Sequence, residues 1–277
     1  MKRKLWLLLA VVLILFWSLA PIYWALRTSL LPENELTAMP LKYLPFPASV
    51  ENYSQLLGFT GRQDVWAQFK RALINSLVSS IGTTLVVVAI SIFSGYAFAR
   101  LKFKGKNVIF GMVIITMALP AYAVMIPLYK IIISLGLMDT QTGITLIYTS
   151  AFAPLAVWMM RSFFASIPKE LEEAAMVDGA SRLRALWTIL PMAVPGLIAV
   201  AILTFLSSWS QFVIPLVFAP LKTKPLTVLI TEFVGKNYIN YGMMTAAGMI
   251  TILPPILIVL FLNKYLVSGL TTGSVKG

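Results

Sequence analysis

Long apolar stretches separated by polar segments dominate the chain. A helix needs about 20 mostly apolar residues to cross roughly 30 Å of hydrocarbon. Six stretches come close to this length, and none of them contains Asp, Glu, Lys or Arg. They are approximately residues 5–26, 72–99, 108–129, 143–160, 191–219 and 241–262. The pattern therefore predicts an all-α integral membrane protein with six transmembrane helices in one membrane domain.

Composition supports a membrane protein and narrows its chemistry. Of the 277 residues, 59% are hydrophobic and 12% are charged, whereas a soluble domain has about 25% charged residues. Such a chain has too little polar surface for a soluble enzyme. It contains no Cys and no His, which removes thiolate metal ligands and the commonest general base. We therefore expect no catalytic site and no metal site in this chain.

The first apolar stretch has two interpretations. Basic residues 2–4 precede an apolar run that reaches Ala20, as in a secretory signal peptide. The run continues past Pro21 to Leu26, and a proline directly after the candidate cleavage site disfavours cleavage. We favour an uncleaved transmembrane helix.

Basic residues indicate the orientation of the spans. With the N-terminus inside, the inner segments hold 13 of the 22 Lys and Arg, and the outer segments hold 9. The outer segments also hold six of the ten acidic residues, although they are longer. This bias predicts that both termini are cytoplasmic. The net charge of +12 then faces anionic lipid headgroups, so it does not indicate nucleic-acid binding.

Two further aqueous segments follow from this topology. The outer loop 27–71 contains Pro32, Pro40, Pro45 and Pro47, which make its first half extended or turning. Residues 64–71 are predicted to form a short amphipathic helix that leads into the second span. Residues 263–277 form a cytoplasmic tail.

The cytoplasmic loop 161–190 has clear helix signals. Pro168 suits the first position of a helix, and the acidic residues that follow favour its first turns. Gly179 suits the left-handed residue that ends this helix. Ser181 can cap a second helix that runs towards Pro191.

The first of these two helices has a small, weakly hydrophobic face. Leu171, Ala174, Ala175 and Asp178 are spaced i, i+3, i+4 and i+7, so they share one side. The alternative is a helix that lies on the membrane surface, but such helices carry Lys or Arg and bulky apolar residues. This helix is acidic and rich in alanine, which favours docking to a basic protein partner.

The loop also carries a recognisable motif. The sequences EAA at 173–175, DGAS at 178–181 and ILP at 189–191, with the tail 269–277, resemble the "EAA loop" permeases of ATP-binding-cassette importers. The resemblance is closest to the carbohydrate branch, in particular the smaller permease of the maltose-type importers. It implies the type I permease fold and a function in sugar import. The family's usual Ile before Xaa-Leu-Pro is Thr188 here.

The resemblance implies partners and contact residues. The loop would be a coupling helix that binds a cytoplasmic ATPase. A second permease would complete a heterodimer, two ATPase subunits would bind ATP and Mg, and an extracytoplasmic protein would deliver the sugar. The chain is also expected to contact membrane lipids. The resemblance implies that it resides in the inner membrane of a bacterium or an archaeon. The implied ATPase contacts are Glu172, Glu173, Ala174, Ala175, Asp178 and Gly179 in the loop, and Thr272, Gly273, Lys276 and Gly277 in the tail.

A polar stripe is predicted in the fifth span. Thr204, Ser207, Ser208 and Gln211 are spaced i, i+3, i+4 and i+7 beside Trp209. Hydroxyls and an amide next to an indole suit a sugar pathway. Contacts between helices explain the stripe equally well.

Prolines and missing charges bear on the transport mechanism. Pro120 and Pro127 in the third span can kink a helix, which suggests a hinge. Ion-driven carriers commonly keep acidic residues inside the membrane, and the predicted spans have none. The drive is therefore expected to come from a partner. Alternatives are a permease for a non-sugar solute, a carrier that binds its ion through carbonyls, and an intramembrane enzyme.

Overall fold

The computed structural model describes residues 2–36, 38–235 and 239–271, without the side chains of residues 2, 3, 121 and 263–271. No strand forms in this part of the chain, where an isolated antiparallel bridge links Val234 and Ile239. The helices are α1 (Lys2–Ser29), α2 (Glu33–Leu36), α3 (Glu51–Leu56), α4 (Gln63–Arg100), α5 (Lys106–Thr116), α6 (Ala121–Ser134), α7 (Gln141–Ser166), α8 (Lys169–Val177), α9 (Arg182–Ile189), α10 (Val194–Trp209), α11 (Val213–Phe218), α12 (Leu226–Glu232) and α13 (Tyr241–Thr271).

Five helical segments among the described residues are long and apolar enough to cross a membrane. They are Lys4–Ser29, Gln63–Arg100, Gln141–Ser166, Arg182–Trp209 and Tyr241–Leu262. The helix predicted over residues 64–71 is present, and it continues without interruption into the second span as α4. Helix α1 likewise runs through Pro21 to Ser29.

The third predicted span is not one helix, which corrects the expectation for residues 108–129. Helix α5 has 11 residues and α6 has 14. Because a helix rises about 1.5 Å per residue, each is too short to cross the roughly 30 Å of hydrocarbon. Pro120 is the N-cap of α6 with an extended backbone (φ −61°, ψ 119°). Because a proline disfavours helical geometry in the residue before it, α5 ends at Thr116.

The fifth predicted span, residues 191–219, is also interrupted. A 3-10 turn at Leu190–Ala193 leads into α10, which ends at Trp209, and α11 restarts at Val213. Pro215 lies in the first turn of α11. In a continuous helix its ring would clash with the carbonyl of residue 211, which explains why the chain leaves the helix at residues 210–212.

The chain divides into two compact units. The first comprises residues up to 73 and residues 225–254. In this unit the Asn52 side-chain amide donates to the Ser29 carbonyl at 3.1 Å, and a Cβ on Gly242 would lie 2.6 Å from that amide nitrogen. The end of α1, α3 and the start of α13 are therefore in close contact.

Among the described residues, the second unit comprises residues 74–224 and 255–271. One apolar core joins α4, α7, α9 and α10, with the buried residues Val87, Tyr96, Ala156, Met159, Met160, Phe164, Ile167, Leu186, Ile189, Ala193, Ala199 and Val200. A separate core joins α6, α7 and α11 through Ile132, Ile144, Ile147, Tyr148 and Phe218. The first of these cores carries the loop that holds the sequence motif.

Candidate functional site

The motif loop forms two short helices on an apolar base. After α7, Ile167 and Pro168 are extended, and Pro168 is the N-cap of α8, one position before the first helical residue expected for it. Gly179 has φ +85°, as expected for the residue that ends α8. The Ser181 hydroxyl accepts a hydrogen bond from the Arg184 backbone N–H at 3.3 Å, so it caps α9 as predicted.

Buried side chains of α9 hold this loop in place. Ala185, Leu186 and Ile189 are 0–1% exposed, and the latter two belong to the core shared with α4, α7 and α10. The Tyr96 ring of α4 meets the Phe164 ring of α7 edge to face at 5.8 Å above the same loop. The two-helix loop is thus a packed part of its unit.

The exposed residues of α8 and its C-cap include three carboxylates. Glu170, Glu173, Ala174 and Asp178 are exposed, as is Gly179. Ala175 is half-buried. The exposed surface carries three carboxylates near one alanine, and it also includes Leu171, Met176 and Val177, which are 42%, 38% and 86% exposed. We call Glu170, Glu173 and Ala174 of α8, together with the C-cap residue Asp178, the acidic face.

Glu172 points the other way, which differs from its predicted place among the docking residues. It is 8% exposed. Its carboxylate accepts a hydrogen bond from the Tyr96 hydroxyl at 2.5 Å and lies 3.3 Å from the Arg100 Nε. An ionised carboxylate inside a protein needs a partner of this kind, and the two residues at the end of α4 provide it.

The predicted stripe of the fifth span does not form one helical face. Thr204 and Ser208 are buried in α10, but Gln211 lies beyond the end of the helix. The Ser208 hydroxyl donates within its own helix, with the Thr204 carbonyl at 2.8 Å. Trp209 is 4% exposed and stacks on Phe205 at 5.6 Å.

Thr204 and Ser207 face α7 of the same chain. Together with Phe152, Met159 and their neighbours they line a cavity of about 20 Å³, which is space for about one water molecule. This cavity is far too small for a sugar. The arrangement is the one expected for packing between helices, and Gln211 is displaced from it.

A polar cluster that the sequence did not predict fixes the loop between α11 and α12. Asp139 has a left-handed backbone (φ 54°). Its carboxylate accepts hydrogen bonds from the Lys222 and Thr223 N–H groups at 2.8 and 3.0 Å, and from the Thr223 hydroxyl at 3.0 Å. Burial acts to raise the pKa of Asp139, but the hydrogen bonds from Lys222, Thr223 and Leu221 outweigh it and lower the pKa below its usual range.

Asn75 completes this cluster from α4. Its side-chain amide donates to the Lys222 and Lys224 carbonyls at 3.0 Å each, and its oxygen accepts from Gln141 at 2.8 Å. Nothing in local sequence pairs residue 75 with residues 222 and 224. The only local indication of this cluster was the position of Asp139 in a short loop, because Asp is one of the few residues that tolerate a left-handed backbone.

Lys106, the first residue of α5, donates a hydrogen bond to the Leu101 carbonyl in the preceding basic loop at 3.0 Å. Burial, together with the positive charges of Arg161 and Lys169, lowers its pKa. No group of three or more acidic residues in the described part of the chain could hold a metal ion. The predicted tail contacts Thr272, Gly273, Lys276 and Gly277 lie outside the described residues.

Comparison with known proteins identifies the family. The model for "Binding-protein-dependent transport system inner membrane component" matches residues 87–272. The chain is 32% identical to the sulfoquinovosyl glycerol transport system permease SmoH of Agrobacterium fabrum, over 94% of this chain and 90% of that protein. It is 34% identical to the trehalose transport system permease SugB of Mycobacterium tuberculosis, over 96% and 95%.

Two further similarities cover almost the whole chain. The arabinooligosaccharides transport system permease AraQ of Bacillus subtilis is 35% identical over 94% of this chain and 91% of its own length. A crystal structure of a bacterial ABC transporter that imports alginate has the same fold, with a TM-score of 0.81, 24% identity and coverage of 95% and 97%. The chain therefore belongs to the family of inner-membrane permease components of binding-protein-dependent transport systems.

Proposed function

We propose that this chain is a permease subunit of an ATP-driven importer of di- or oligosaccharides. The support comes from its relatives, which are named as permeases for sulfoquinovosyl glycerol, trehalose and arabinooligosaccharides. Each of these solutes contains a sugar. The chain matches the relatives along more than 90% of its length, so the similarity is not confined to the motif loop.

The acidic face of α8 is the observation that carries the proposed coupling to an ATPase. It holds three exposed carboxylates at the tip of a packed loop. A basic groove on a cytoplasmic ATPase would complement it in charge. Glu173, Ala174, Asp178 and Gly179 remain the proposed contacts, with Ala175 at the edge and Glu172 excluded by its burial. ATP and Mg would bind to the two ATPase subunits.

The remaining partners follow from the same assignment. A second permease would complete the transmembrane path, and an extracytoplasmic binding protein would deliver the sugar to the outer loops. The tail residues 272–277 would contact the ATPase pair. The positive-inside bias, 13 of 22 basic residues on one side, supports an inner-membrane topology with both termini in the cytoplasm.

Transport would proceed by alternating access. ATP binding would close the ATPase pair and open the path outward, and hydrolysis would return the path to the inward state. The break between α5 and α6 at residues 117–120 gives these two segments freedom to change their angle. Gln211, beyond the end of α10, is the part of the predicted stripe that remains a proposed pathway contact.

Reconstitution tests this function directly. The chain is purified alone, and in parallel with a partner permease, ATPase subunits and a binding protein from the same organism, and each preparation is placed in proteoliposomes. Radiolabelled trehalose, maltose and arabinotriose serve as probes, with proline as a non-sugar control. We expect ATP-dependent uptake of a sugar by the complete complex only. Uptake by the chain alone would support an ion-coupled carrier, and uptake of proline alone would refute the sugar assignment.

A further inference from the structure

The backbone alone does not fix the direction of α8. Between α7 and α8, Ile167 (φ −73°, ψ 134°) and Pro168 (φ −54°, ψ 135°) are both extended. Extended residues interrupt the hydrogen-bond ladder that makes a helix stiff. A displacement of α8 would therefore not pass to α7 through a continuous helix, and side-chain contacts must hold α8 in place.

Three contacts from the last turns of α4 meet this junction. An Arg100 Nη2 donates to the Ile167 carbonyl, at the extended link itself. The Arg100 Nε lies 3.3 Å from one Glu172 oxygen, and the Tyr96 hydroxyl donates to the other at 2.5 Å. Glu172 lies in the first turn of α8. The end of α4 thus contacts both the link and the helix that follows it.

Burial makes this cluster hard to separate. The side chains of Arg100 and Glu172 are 4% and 10% exposed. A buried charge that loses its partner is left uncompensated in a medium of low dielectric constant, which is strongly unfavourable. If α8 slid away from α4, the buried charges of Arg100 and Glu172 would each lose their partner, which is unfavourable. The two helices are therefore favoured to move together.

We propose that Tyr96, Arg100 and Glu172 form an internal strut that transmits movement of α8 to the cytoplasmic end of α4. Glu172 is then a positioning residue inside the permease, and docking is left to the acidic face. This inference rests on the proposed function, because it is the ATPase that would displace α8. Two adjacent glutamates then have different tasks: Glu172 holds α8 against α4 inside the permease, and Glu173 contributes to the docking surface.

Spin-label distances in the complete transporter test the strut, with ATP as the probe. The chain has no Cys, so Phe93→Cys on α4 and Met176→Cys on α8, both exposed, give one defined label pair. We expect the mean distance to agree within about 2 Å between the nucleotide-free and ATP-bound states. In Glu172→Gln it should change between these states by about 5 Å or more, one helical turn.

Two pairs of variants keep the test decisive. Tyr96→Phe removes only the hydroxyl that donates to Glu172 and keeps the ring on Phe164, so it should assemble and still release α8 in part. Tyr148→Phe makes the same change in a buried part of α7 and should leave the distance constant. Arg100→Gln with Glu172→Gln removes both buried charges, so it should restore assembly if Glu172→Gln alone fails, yet leave α8 free.

The outcomes separate the two proposals. Assembled Tyr96→Phe and double-variant complexes whose label distance stays constant on ATP addition would overturn the strut. A wild-type chain that never associates with an ATPase would instead refute the proposed function. Lys104→Gln, at an exposed residue of the loop before α5 in the same unit, should not alter the label distance, and a change equal to that of Glu172→Gln would also contradict the strut.

Discussion

Gly95 of α4 lies directly against Met160 of α7: a Cβ built on Gly95 would be 2.6 Å from the Met160 Cβ and 3.0 Å from the Arg161 backbone nitrogen. Both partners are fixed parts of a helix, so neither can turn aside as the end of a flexible chain would. Only glycine allows the two helices to come this close. The contact lies one residue before Tyr96, and it therefore sets the position of the strut as well.

Gly95→Ala should destabilise the protein by about 1–3 kcal/mol, the usual penalty for overpacking a core. The measurement is the thermal unfolding of the detergent-solubilised chain. Gly111→Ala in α5 is the matched control, because its Cβ would meet nothing within 4 Å and alanine favours a helix by about 1 kcal/mol. Equal stability of both variants would show that α4 and α7 are not in this contact.

Asp139 should make stability depend on pH in the acid range. Its folded-state pKa lies below the ordinary value of 3.8, so its stabilising contribution is complete above about pH 4 and is lost as the pH falls through the folded-state pKa. We propose to measure this effect by comparing the unfolding temperatures of the wild type and Asp139→Asn over about three pH units, from pH 6 down to pH 3. The difference between the two proteins should shrink towards acid pH.

The same position separates charge from backbone conformation. Asp139→Asn keeps a residue that tolerates the left-handed backbone and should cost about 1 kcal/mol of stability at neutral pH through weaker hydrogen bonds. Asp139→Ala should cost about 1 kcal/mol more, because alanine disfavours this conformation. If the two variants were equally stable, the positive φ of this residue would be contradicted.

Glu173→Lys should weaken binding of the ATPase about tenfold or more, since it reverses a charge on the acidic face. The measurement is co-purification of the ATPase subunits with the permease pair, followed by sugar uptake. Glu51→Lys makes the same charge change on an exposed residue of α3, which the predicted topology places outside. It should leave ATPase binding unaltered. If the Glu173→Lys variant bound the ATPase as well as the wild type does, the proposal that α8 is the docking helix would be refuted.

Pro120→Ala should allow α5 and α6 to join into one longer helix, because alanine restores the backbone N–H and removes the restriction on residue 119. Labels at Met112→Cys and Ile126→Cys, both exposed, report the angle between the two segments. In the wild type we expect this distance to change on ATP binding, and in Pro120→Ala the change should be smaller.

Pro127→Ala is the control for this hinge, since Pro127 lies where α6 is already continuous. It should keep the wild-type response to ATP. A wild-type distance that does not respond to ATP would exclude residues 117–120 as a hinge, whatever the effect of Pro120→Ala on uptake.

Local signals in the sequence were sufficient for much of the fold. Apolar length indicated the positions of five of the six predicted spans, although the fifth prediction ran beyond the end of α10. Ser181 and Gly179 marked the ends of the loop helices where the structure has them. These features depend on neighbouring residues alone: hydrophobic length, capping hydroxyls and a glycine with positive φ. The family motif in loop 161–190 also identified the type of protein, because it is a short contiguous pattern.

Tertiary structure alone decided which residues face each other. The family motif grouped Glu172 and Glu173 as docking residues, but packing against Tyr96 and Arg100 turns Glu172 inward and leaves Glu173 exposed. Pairing of Asp139 with Thr223, and of Asn75 with Lys222, joins residues far apart in sequence. Burial and long-range hydrogen bonding depend on how helices approach one another. A pattern of apolar and polar positions along one chain does not contain that information.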